Sequence, residues 1–300
     1  MSEPSSHLIG AIEAGGTKFV LALADARGAI LRHARIPTEH PEATFPEVVR
    51  FFQAAAAEHG TIGAFGIGTF GPVVVDRDAP DWGCFTTTPK PGWSGASLPR
   101  ALAEFGVPVA LETDVNAAAL GEWLSGAGRG ARTLAYTTVG TGIGTGVLKD
   151  GVPLAGIGHY EAGHVRVPRD PKDSFAGSCP YHGDCLEGLA AGPAITTRWG
   201  SSLDQLGPDE VAMVAGYLAD FACDLVLLHM PERLIFGGGV SKAPGLIEAL
   251  RRRTEERLAG YVAHPALDPG LERYITTPAL GDDAGIRGAI ELGRRMLPPQ

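Results

Sequence analysis

The stretch Leu8-Ile-Gly-Ala-Ile-Glu-Ala-Gly-Gly-Thr-Lys-Phe-Val-Leu-Ala-Leu-Ala24 places a polar, glycine-containing segment between two apolar runs. Residues 8–12 and 19–24 are short, apolar runs of the kind that form buried strands. The sequence therefore predicts a β-hairpin with residues 13–18 at its tip. Glycine lets an anion approach the backbone closely, and successive amide N–H groups in such a turn form an anion-binding nest, to which Thr17 adds a hydroxyl donor.

The second half of the chain repeats this plan. Residues 133–139 predict a strand, Gly140-Thr-Gly-Ile-Gly-Thr-Gly146 predicts a turn, and a returning strand follows from residue 147. A further strand, 234–236, ends at Gly237-Gly238-Gly239. Neither turn matches a P-loop or a dinucleotide fingerprint. One such hairpin alone can be a turn without a ligand, and Gly237-Gly238-Gly239 can be a turn that leads into a helix. The occurrence of all three segments favours two phosphate-binding turns, with the backbone of the three glycines packed against a flat adenine ring.

Strands and helices alternate along the chain, which predicts an α/β protein with two domains of similar plan. The first domain is predicted to span 1–117 and to include the closing helix, 284–300, whereas the second spans 118–283. Further strands are predicted at 30–36, 62–68, 107–111 and 274–277. Helices are predicted at 46–59, 98–105, 115–124, 186–199, 209–228, 244–258 and 284–296.

The net charge of the chain bears on the partners that the protein can bind. A net charge of −9 argues against a nucleic-acid partner, which needs a basic patch. The run Arg251-Arg252-Arg253 lies next to Glu255 and is typical of a solvated helix face. No signal sequence and no apolar run of about 20 residues is evident, so we expect a cytoplasmic protein without a membrane partner. In the cytoplasm, cysteines are expected to be thiols or metal ligands. Cys84 and Cys223 have no partner that is evident from the sequence.

Cys179-Pro-Tyr-His-Gly-Asp-Cys185, together with His164 upstream, brings two thiols and two imidazoles into 22 residues. This is the ligand set of a closed tetrahedral zinc site. The alternative is that the four residues are unrelated core and surface side chains. The segment has little apolar content, and a structural metal would supply its folding energy. Four protein ligands leave no position for a catalytic water, so zinc is predicted to shape a pocket for a hydroxylated ligand.

Asp114 lies where a strand is predicted to end and a helix to begin, a common position for ligand-binding residues in α/β proteins. An N-cap role is equally typical of Asp. Phosphoryl transfer needs a carboxylate that accepts the proton of the attacking hydroxyl, and Asp114 is the carboxylate best placed for that function.

The chain resembles the ROK family of sugar kinases across essentially its whole length, and within that family the bacterial fructokinase branch. The segments that carry the resemblance are Glu13-Ala-Gly-Gly-Thr-Lys-Phe19, Thr86-Thr-Thr-Pro-Lys-Pro-Gly-Trp93, Thr113-Asp-Val-Asn-Ala-Ala-Ala-Leu-Gly-Glu122, Val139-Gly-Thr-Gly-Ile-Gly144, Glu161-Ala-Gly-His164 and Cys179-Pro-Tyr-His-Gly-Asp-Cys-Leu-Glu-Gly188.

The resemblance implies an actin-like ATPase (ribonuclease H-like) fold with a ligand cleft between the domains, and ATP-dependent conversion of D-fructose to fructose 6-phosphate. It implies Asp114 as general base, structural Zn²⁺, Mg²⁺ bound with ATP, and a homodimer. The nucleotide would contact Gly15, Gly16, Thr17, Lys18, Gly140, Thr141, Gly142, Gly238 and Gly239. The sugar would contact Thr113, Asp114, Glu161, His164, Glu187 and Trp93, and zinc would bind His164, Cys179, His182 and Cys185.

The chain departs from the wider family at three places, each of which resembles the fructokinase branch. Glu13 stands where most members have Asp, Thr113 where they have Asn, and the cysteine-rich loop carries His182. Trp93 is equally compatible with a core or interface role. Kinases of glucose, mannose or an N-acyl hexosamine are the alternatives within the family. A non-catalytic sugar sensor is disfavoured by the acidic charge, by the intact turns and by a first strand that begins too early for a preceding DNA-binding domain.

Overall fold

The computed structural model describes residues 7–88, 90–267 and 269–298, and these form two compact units. The first unit comprises residues up to 121 together with 155–159 and the segment from 282, and the second comprises 122–154 and 160–281. The predicted division at 117/118 therefore falls four residues early. The prediction also missed that residues 155–159 belong to the first unit.

The first unit is built on a five-stranded sheet with the order β3-β2-β1-β4-β5. The hairpin predicted at the N-terminus is present, because β1 pairs antiparallel with β2 in the register Ala14 to Phe19. Strands β1, β4 and β5 run parallel, so their carboxyl ends meet at one edge. The strands are β1 Leu8–Ala14, β2 Lys18–Ala24, β3 Ile30–Pro37, β4 Ile62–Thr69 and β5 Val109–Thr113.

Helices cover this sheet. Helix α1 begins at Pro41, a residue suited to the first helical turn, and it tolerates Pro46 inside, which explains why the predicted start at 46 was late. Helix α8 packs on β1 and β4, where Ile286, Ala289 and Ile290 are buried. The helices of this unit are α1 Pro41–His59, α2 Leu98–Ala101, the first part of α3 Asp114–Ser125, and α8 Ala284–Arg294.

The second unit contains a sheet of the order β10-β9-β6-β7-β8. Strand β6 pairs antiparallel with β7 and parallel with β9. Strand β7 begins at Ile143, so the turn is shorter than the predicted 140–146. The strands are β6 Thr133–Val139, β7 Ile143–Lys149, β8 Val152–Pro153, β9 Arg233–Gly237 and β10 Ile275–Thr276.

The helices of the second unit are α4 Leu186–Ala190, α5 Gly192–Trp199, α6 Pro208–His229 and α7 Leu246–Leu258. The single helix predicted over 186–199 is two, because Ala191 adopts an extended conformation before the Gly192-Pro193 start of α5. Contrary to the sequence expectation, α6 is long and apolar enough to cross a membrane, the one such helix in the described ranges. Two thirds of its most apolar stretch is nevertheless buried in the unit's core, as in core helices of globular proteins.

Candidate functional site

The first glycine turn joins β1 to β2. The amide of Gly15 donates to the carbonyl of Lys18 at 3.0 Å, which closes the hairpin. Gly16, Thr17 and Lys18 are exposed, and a Cβ at Gly16 would meet no atom within 4 Å. The turn thus leaves open space for a ligand above Gly16, as an anion cradle requires.

The carboxyl edge of the first sheet holds the predicted base. Thr69 of β4 lies between Ala14 of β1 and Thr113 of β5 in the parallel register, and Asp114 follows directly. The hydroxyl of Thr113 accepts the amide N–H of Asn116 at 3.2 Å, so Thr113 performs a capping function. The Asp114 Oδ1 atom accepts the amide of Val115 at 2.9 Å. Asp114 therefore begins α3, where the helix N-terminus favours negative charge.

Glu13 is a half-buried carboxylic acid on the same edge. Burial, with Asp114, Asp282 and Asp283 adding negative charge, raises its pKa to about 7, although Lys18 opposes the shift. Its Oε2 atom is buried without a hydrogen-bond partner among the described residues. Its carboxyl would also lie 2.5 Å from a Cβ at Gly285, so it packs against the start of α8. Glu13 and Asp114 therefore place carboxyl oxygens, the atom type that Mg²⁺ prefers, at this edge of the sheet.

A second half-buried carboxylate, Glu112, was not singled out from the sequence. Burial raises its pKa, while the hydrogen bond from Asn116 Nδ2 at 2.8 Å acts in the opposite direction. The neighbouring His159 ring also acts to lower the pKa of Glu112. His159 Nε2 accepts the amide of Val73 at 3.2 Å. Only the tertiary fold reveals this cluster, because residues 155–159 join the first unit from a distant part of the sequence.

Trp93 is a core residue, which corrects its predicted contact with the sugar. The side chain is fully buried and leaves no face for a ligand. Its Nε1 donates to the carbonyl of Glu39 at 2.8 Å. Four aromatic rings surround it with centroid distances of 5.1–5.7 Å: Phe19, Phe45, Phe70 and Phe85.

The second glycine turn and the glycine triplet lie side by side. Strands β6 and β9 pair in parallel with Thr138 opposite Gly237, so the residues after both strands meet at one edge. Gly238 has φ +86°, and a Cβ there would approach the Val139 carbonyl oxygen to 2.4 Å. Only glycine suits that position. Thr141 and Gly239 are exposed, and this edge brings together the predicted nucleotide contacts of the second unit.

His164, Cys179, His182 and Cys185 converge, with their ligand atoms all within 4.8 Å of one another. Cys179 Sγ lies 3.7 Å from Nδ1 of both histidines, and Cys185 Sγ lies 3.6 Å from His164 Nδ1. Tetrahedral zinc with bonds of about 2.3 Å to sulfur and about 2.05 Å to nitrogen sets sulfur and nitrogen about 3.6 Å apart. The spacing therefore fits a shared metal ion.

The electrostatics of this cluster also suit a cation. Burial raises the pKa of the Cys185 thiol, and neighbouring Cys179 and Glu187 raise it further. A metal ion offsets that cost because thiolate is the ligating form.

The two predicted sugar-binding glutamates of the second unit differ in environment. Glu187 follows the metal cluster on α4, and its Oε2 accepts the amide N–H of Ile143 at 2.9 Å. Glu187 thereby ties α4 to the start of β7. Glu161 is exposed at the start of the short 3-10 turn Ala162–His164, where its carbonyl accepts the His164 amide at 3.0 Å.

The ROK family model matches residues 9–296. The chain belongs to the ROK family. Among relatives of this ROK chain, a fructokinase of Zymomonas mobilis subsp. mobilis is 44% identical over 95% of the chain and 96% of the relative. A fructokinase of Pediococcus pentosaceus is 38% identical over 97% of the chain and 99% of the relative. Relatives named glucokinase share 27–30% identity.

Solved ROK structures have the same architecture. The ROK hexokinase from Thermus thermophilus superposes with a TM-score of 0.76 at 29% identity, covering 95% of this chain and 97% of that one. The fold is therefore the actin-like ATPase fold, as the resemblance implied. Each unit is an α/β layer structure with a mixed five-stranded sheet.

Proposed function

We propose that this ROK chain transfers the γ-phosphoryl group of ATP to D-fructose and forms fructose 6-phosphate. The observation that carries the proposal is the identity gradient: relatives named fructokinase match at 36–44% over nearly full length, and those named glucokinase at 27–30%. Glucose, mannose and N-acyl hexosamines are the alternative substrates. Thr113, where the wider family has Asn, supports the fructose assignment.

Asp114 is the general base in this proposal. Its carboxylate accepts the proton of the terminal sugar hydroxyl while the sugar oxygen bonds to the γ-phosphorus and the bond to the ADP oxygen breaks. Two features support the role. The hydrogen bond from the Val115 amide orients the carboxylate, and the Thr113 hydroxyl accepts the Asn116 amide, so Asp114 is not needed as the cap of α3. The adjacent helix N-terminus favours the ionised form that a base needs.

The glycine turns hold the nucleotide in this proposal. Backbone amides at Gly16 and Thr17, and at Thr141 and Gly142, face the phosphates, and Lys18 and Gly140 complete the two turns. Gly238 and Gly239 leave room for the adenosine. Mg²⁺ accompanies ATP in sugar kinases generally and would offset charge on the transferred group. Glu13 is the acid nearest the first turn in sequence and is suited to orient that ion through its carboxylate.

Zinc is proposed as a structural ion on His164, Cys179, His182 and Cys185. The set of two thiolates and two imidazoles favours zinc, and the sulfur–nitrogen distances of 3.6–3.7 Å are compatible with one shared tetrahedral ion. Glu161, His164 and Glu187 are proposed as sugar contacts that this metal loop orients. Thr113 stays a proposed sugar contact, although its hydroxyl also caps α3.

The proposal extends to a cytoplasmic homodimer with no membrane and no nucleic-acid partner. The net charge of −9 supports the last point, and the dimer rests on the family resemblance. Light scattering coupled to size exclusion reports the oligomeric state.

The test is a comparison of the wild-type protein with Asp114→Asn. Product formed from fructose and ATP is identified by its conversion with phosphoglucose isomerase and glucose-6-phosphate dehydrogenase. Asp114→Asn should lower kcat by about 10³-fold or more while fructose still binds. A kcat within tenfold of wild type would remove Asp114 from the role of base.

A further inference from the structure

The carbonyl oxygens of the first glycine turn are held from outside the hairpin. The Thr38 hydroxyl donates to the Gly15 carbonyl at 2.7 Å, and the Lys90 ammonium donates to the Gly16 carbonyl at 2.7 Å. The Thr38 amide donates to the Thr17 carbonyl at 3.0 Å. Three consecutive carbonyl groups of the turn are therefore fixed by two residues that are distant from it in the sequence.

Fixing a carbonyl also fixes the next amide. Each peptide unit is planar and trans, so its C=O and N–H point in opposite directions. With the Gly15 carbonyl held by Thr38, the Gly16 amide points away from Thr38. With the Gly16 carbonyl held by Lys90, the Thr17 amide points away from Lys90. Within the described ranges, neither amide has a backbone acceptor, and Gly16 and Thr17 are exposed.

The two segments that carry the anchoring residues are both hydrogen-bonded to the buried residue Trp93. Trp93 Nε1 donates to the carbonyl of Glu39, next to Thr38, and its backbone amide donates to the Lys90 carbonyl at 3.3 Å. The segments that carry Thr38 and Lys90 are thus joined through one fully buried residue. This gives Trp93 a structural link to the turn, in place of a contact with the sugar.

The second turn has an equivalent anchor made of backbone. The Gly140 carbonyl accepts the amide of Gly192, the first residue of α5, at 2.8 Å. The same peptide geometry turns the Thr141 amide away from α5. In both hairpins, therefore, a carbonyl of the turn is hydrogen-bonded by a residue outside the hairpin. Only the first hairpin uses side chains for this contact.

We propose that Thr38 and Lys90 are positioning residues for nucleotide binding: by holding the carbonyls of Gly15 and Gly16, they aim the amides of Gly16 and Thr17 at the phosphates. The inference rests on the proposed function, since it takes these phosphates to be those of ATP. Lys90 affects nucleotide binding by holding the Gly16 carbonyl, without contacting the phosphates. Thr38 has the same role at the Gly15 carbonyl, and it carries no charge that could attract the phosphates directly. Both residues preorganise donors that would otherwise have to be ordered when the nucleotide binds.

The experiment measures the affinity of the intact protein for MgADP and for adenosine, together with KM for ATP and for fructose. Lys90→Met removes the donor and keeps the chain length, and Thr38→Val removes the hydroxyl and keeps the shape. Each should weaken MgADP binding about three- to tenfold and raise KM for ATP in proportion, with adenosine affinity and KM for fructose unchanged. Lys172→Met and Thr61→Val, at exposed positions, are the matched controls.

Lys90→Arg is the rescue variant. A cavity of about 490 Å³ beside Lys90, lined also by Thr38, His40 and Pro91, leaves space for the larger guanidinium. A guanidinium keeps N–H donors, so it should still donate to the Gly16 carbonyl. It should restore MgADP affinity to within about twofold of wild type. Melting temperatures of all variants are measured in parallel, so that loss of folded protein is not counted as loss of affinity.

The outcomes separate the inference from the proposed function. Unchanged MgADP affinity in Lys90→Met or in Thr38→Val overturns the inference, as does equal weakening of MgADP and adenosine. Weakening by Lys90→Met alone would mean that the ammonium acts by charge on the nucleotide, and it also overturns positioning through the carbonyls. If the wild-type protein binds no MgADP, the proposed function itself fails.

Discussion

The carboxylate of Glu187 accepts a hydrogen bond from the amide of Ile143 at 2.9 Å. Glu187 lies two residues after Cys185, a proposed metal ligand, and Ile143 is the first residue of β7, directly after the second glycine turn. One hydrogen bond therefore connects the cysteine-rich loop to a turn proposed to bind phosphates. A metal that orders the loop should also steady the turn.

Removal of the metal tests this connection. A strong zinc chelator should increase hydrogen exchange across residues 179–187 and at the Ile143 amide, because α4 loses the constraint that holds Glu187 in place. Exchange in β1 and β2 of the first unit serves as the internal control. Faster exchange confined to 179–187, with Ile143 unchanged, would show that the hydrogen bond does not transmit the change.

Substitution of one ligand tests the metal site itself. Cys185→Ser should lower bound zinc from about one ion per chain to well below that value, because hydroxyl is a poor ligand for zinc beside thiolate and imidazole. Elemental analysis of dialysed protein gives the stoichiometry. Cys84→Ser, at another buried cysteine, is the control and should retain the metal. Retention of zinc by both variants would mean that the ion binds elsewhere.

Glu13 should make stability depend on pH. The pKa of its carboxyl is about 7 in the folded chain and 4.5 when the group is freely solvated, as in the unfolded chain. Between these values the folded chain keeps a proton that the unfolded chain has lost. Stability therefore falls as pH rises through this window, by about 3 kcal/mol at most. In Mg²⁺-free buffer, Glu13→Gln should melt higher than wild type at pH 8, with the difference reduced at pH 4.

The control for this prediction is Glu47→Gln, which changes a glutamate on the outer surface of α1. Its melting temperature should follow the wild type at both pH values. A Glu13→Gln difference of the same size at pH 4 and pH 8 would show that titration of Glu13 does not contribute, and that the substitution acts through packing alone.

Glu122 should be a major contributor to stability. Its fully buried carboxylate accepts the amides of Ala127 at 2.6 Å, Leu280 at 2.8 Å and Ala279 at 3.1 Å. Glu122→Ala leaves these donors without an acceptor and should cost about 3 kcal/mol or more. Urea unfolding gives the value, and Glu256→Ala, exposed on α7, should stay within about 0.5 kcal/mol of wild type. Equal stability of the two variants would contradict this account.

The features that the sequence predicted are local ones. Both hairpins and the strands that end near Asp114 and Gly237 follow from short patterns of apolar residues and glycines, and the convergence of His164, Cys179, His182 and Cys185 follows from their spacing. The turn before β7 was predicted too long because Gly144 and Gly146 are typical of turns, yet their register with Thr138 and Tyr136 places them in the sheet.

Long-range contacts account for what the sequence did not reveal. Lys90 meets the Gly16 carbonyl across 74 positions, and Glu122 meets Leu280 across 158. The local pattern of apolar and polar residues does not indicate which distant residues pair in this way. Trp93 was ambiguous for a related reason: an aromatic residue after Pro-Gly is compatible with a pocket wall or with a core, and only the four surrounding phenylalanines decide between them.

The most direct test of the central claim is the measurement of kcat/KM with ATP for fructose, glucose, mannose and N-acetylmannosamine under one set of conditions, with ADP release as the readout. Fructose should have the highest kcat/KM, by about tenfold or more over the other sugars, and its product should be fructose 6-phosphate. A higher kcat/KM for another sugar would contradict the fructose assignment, and sugar-independent ADP release alone would contradict the sugar kinase function.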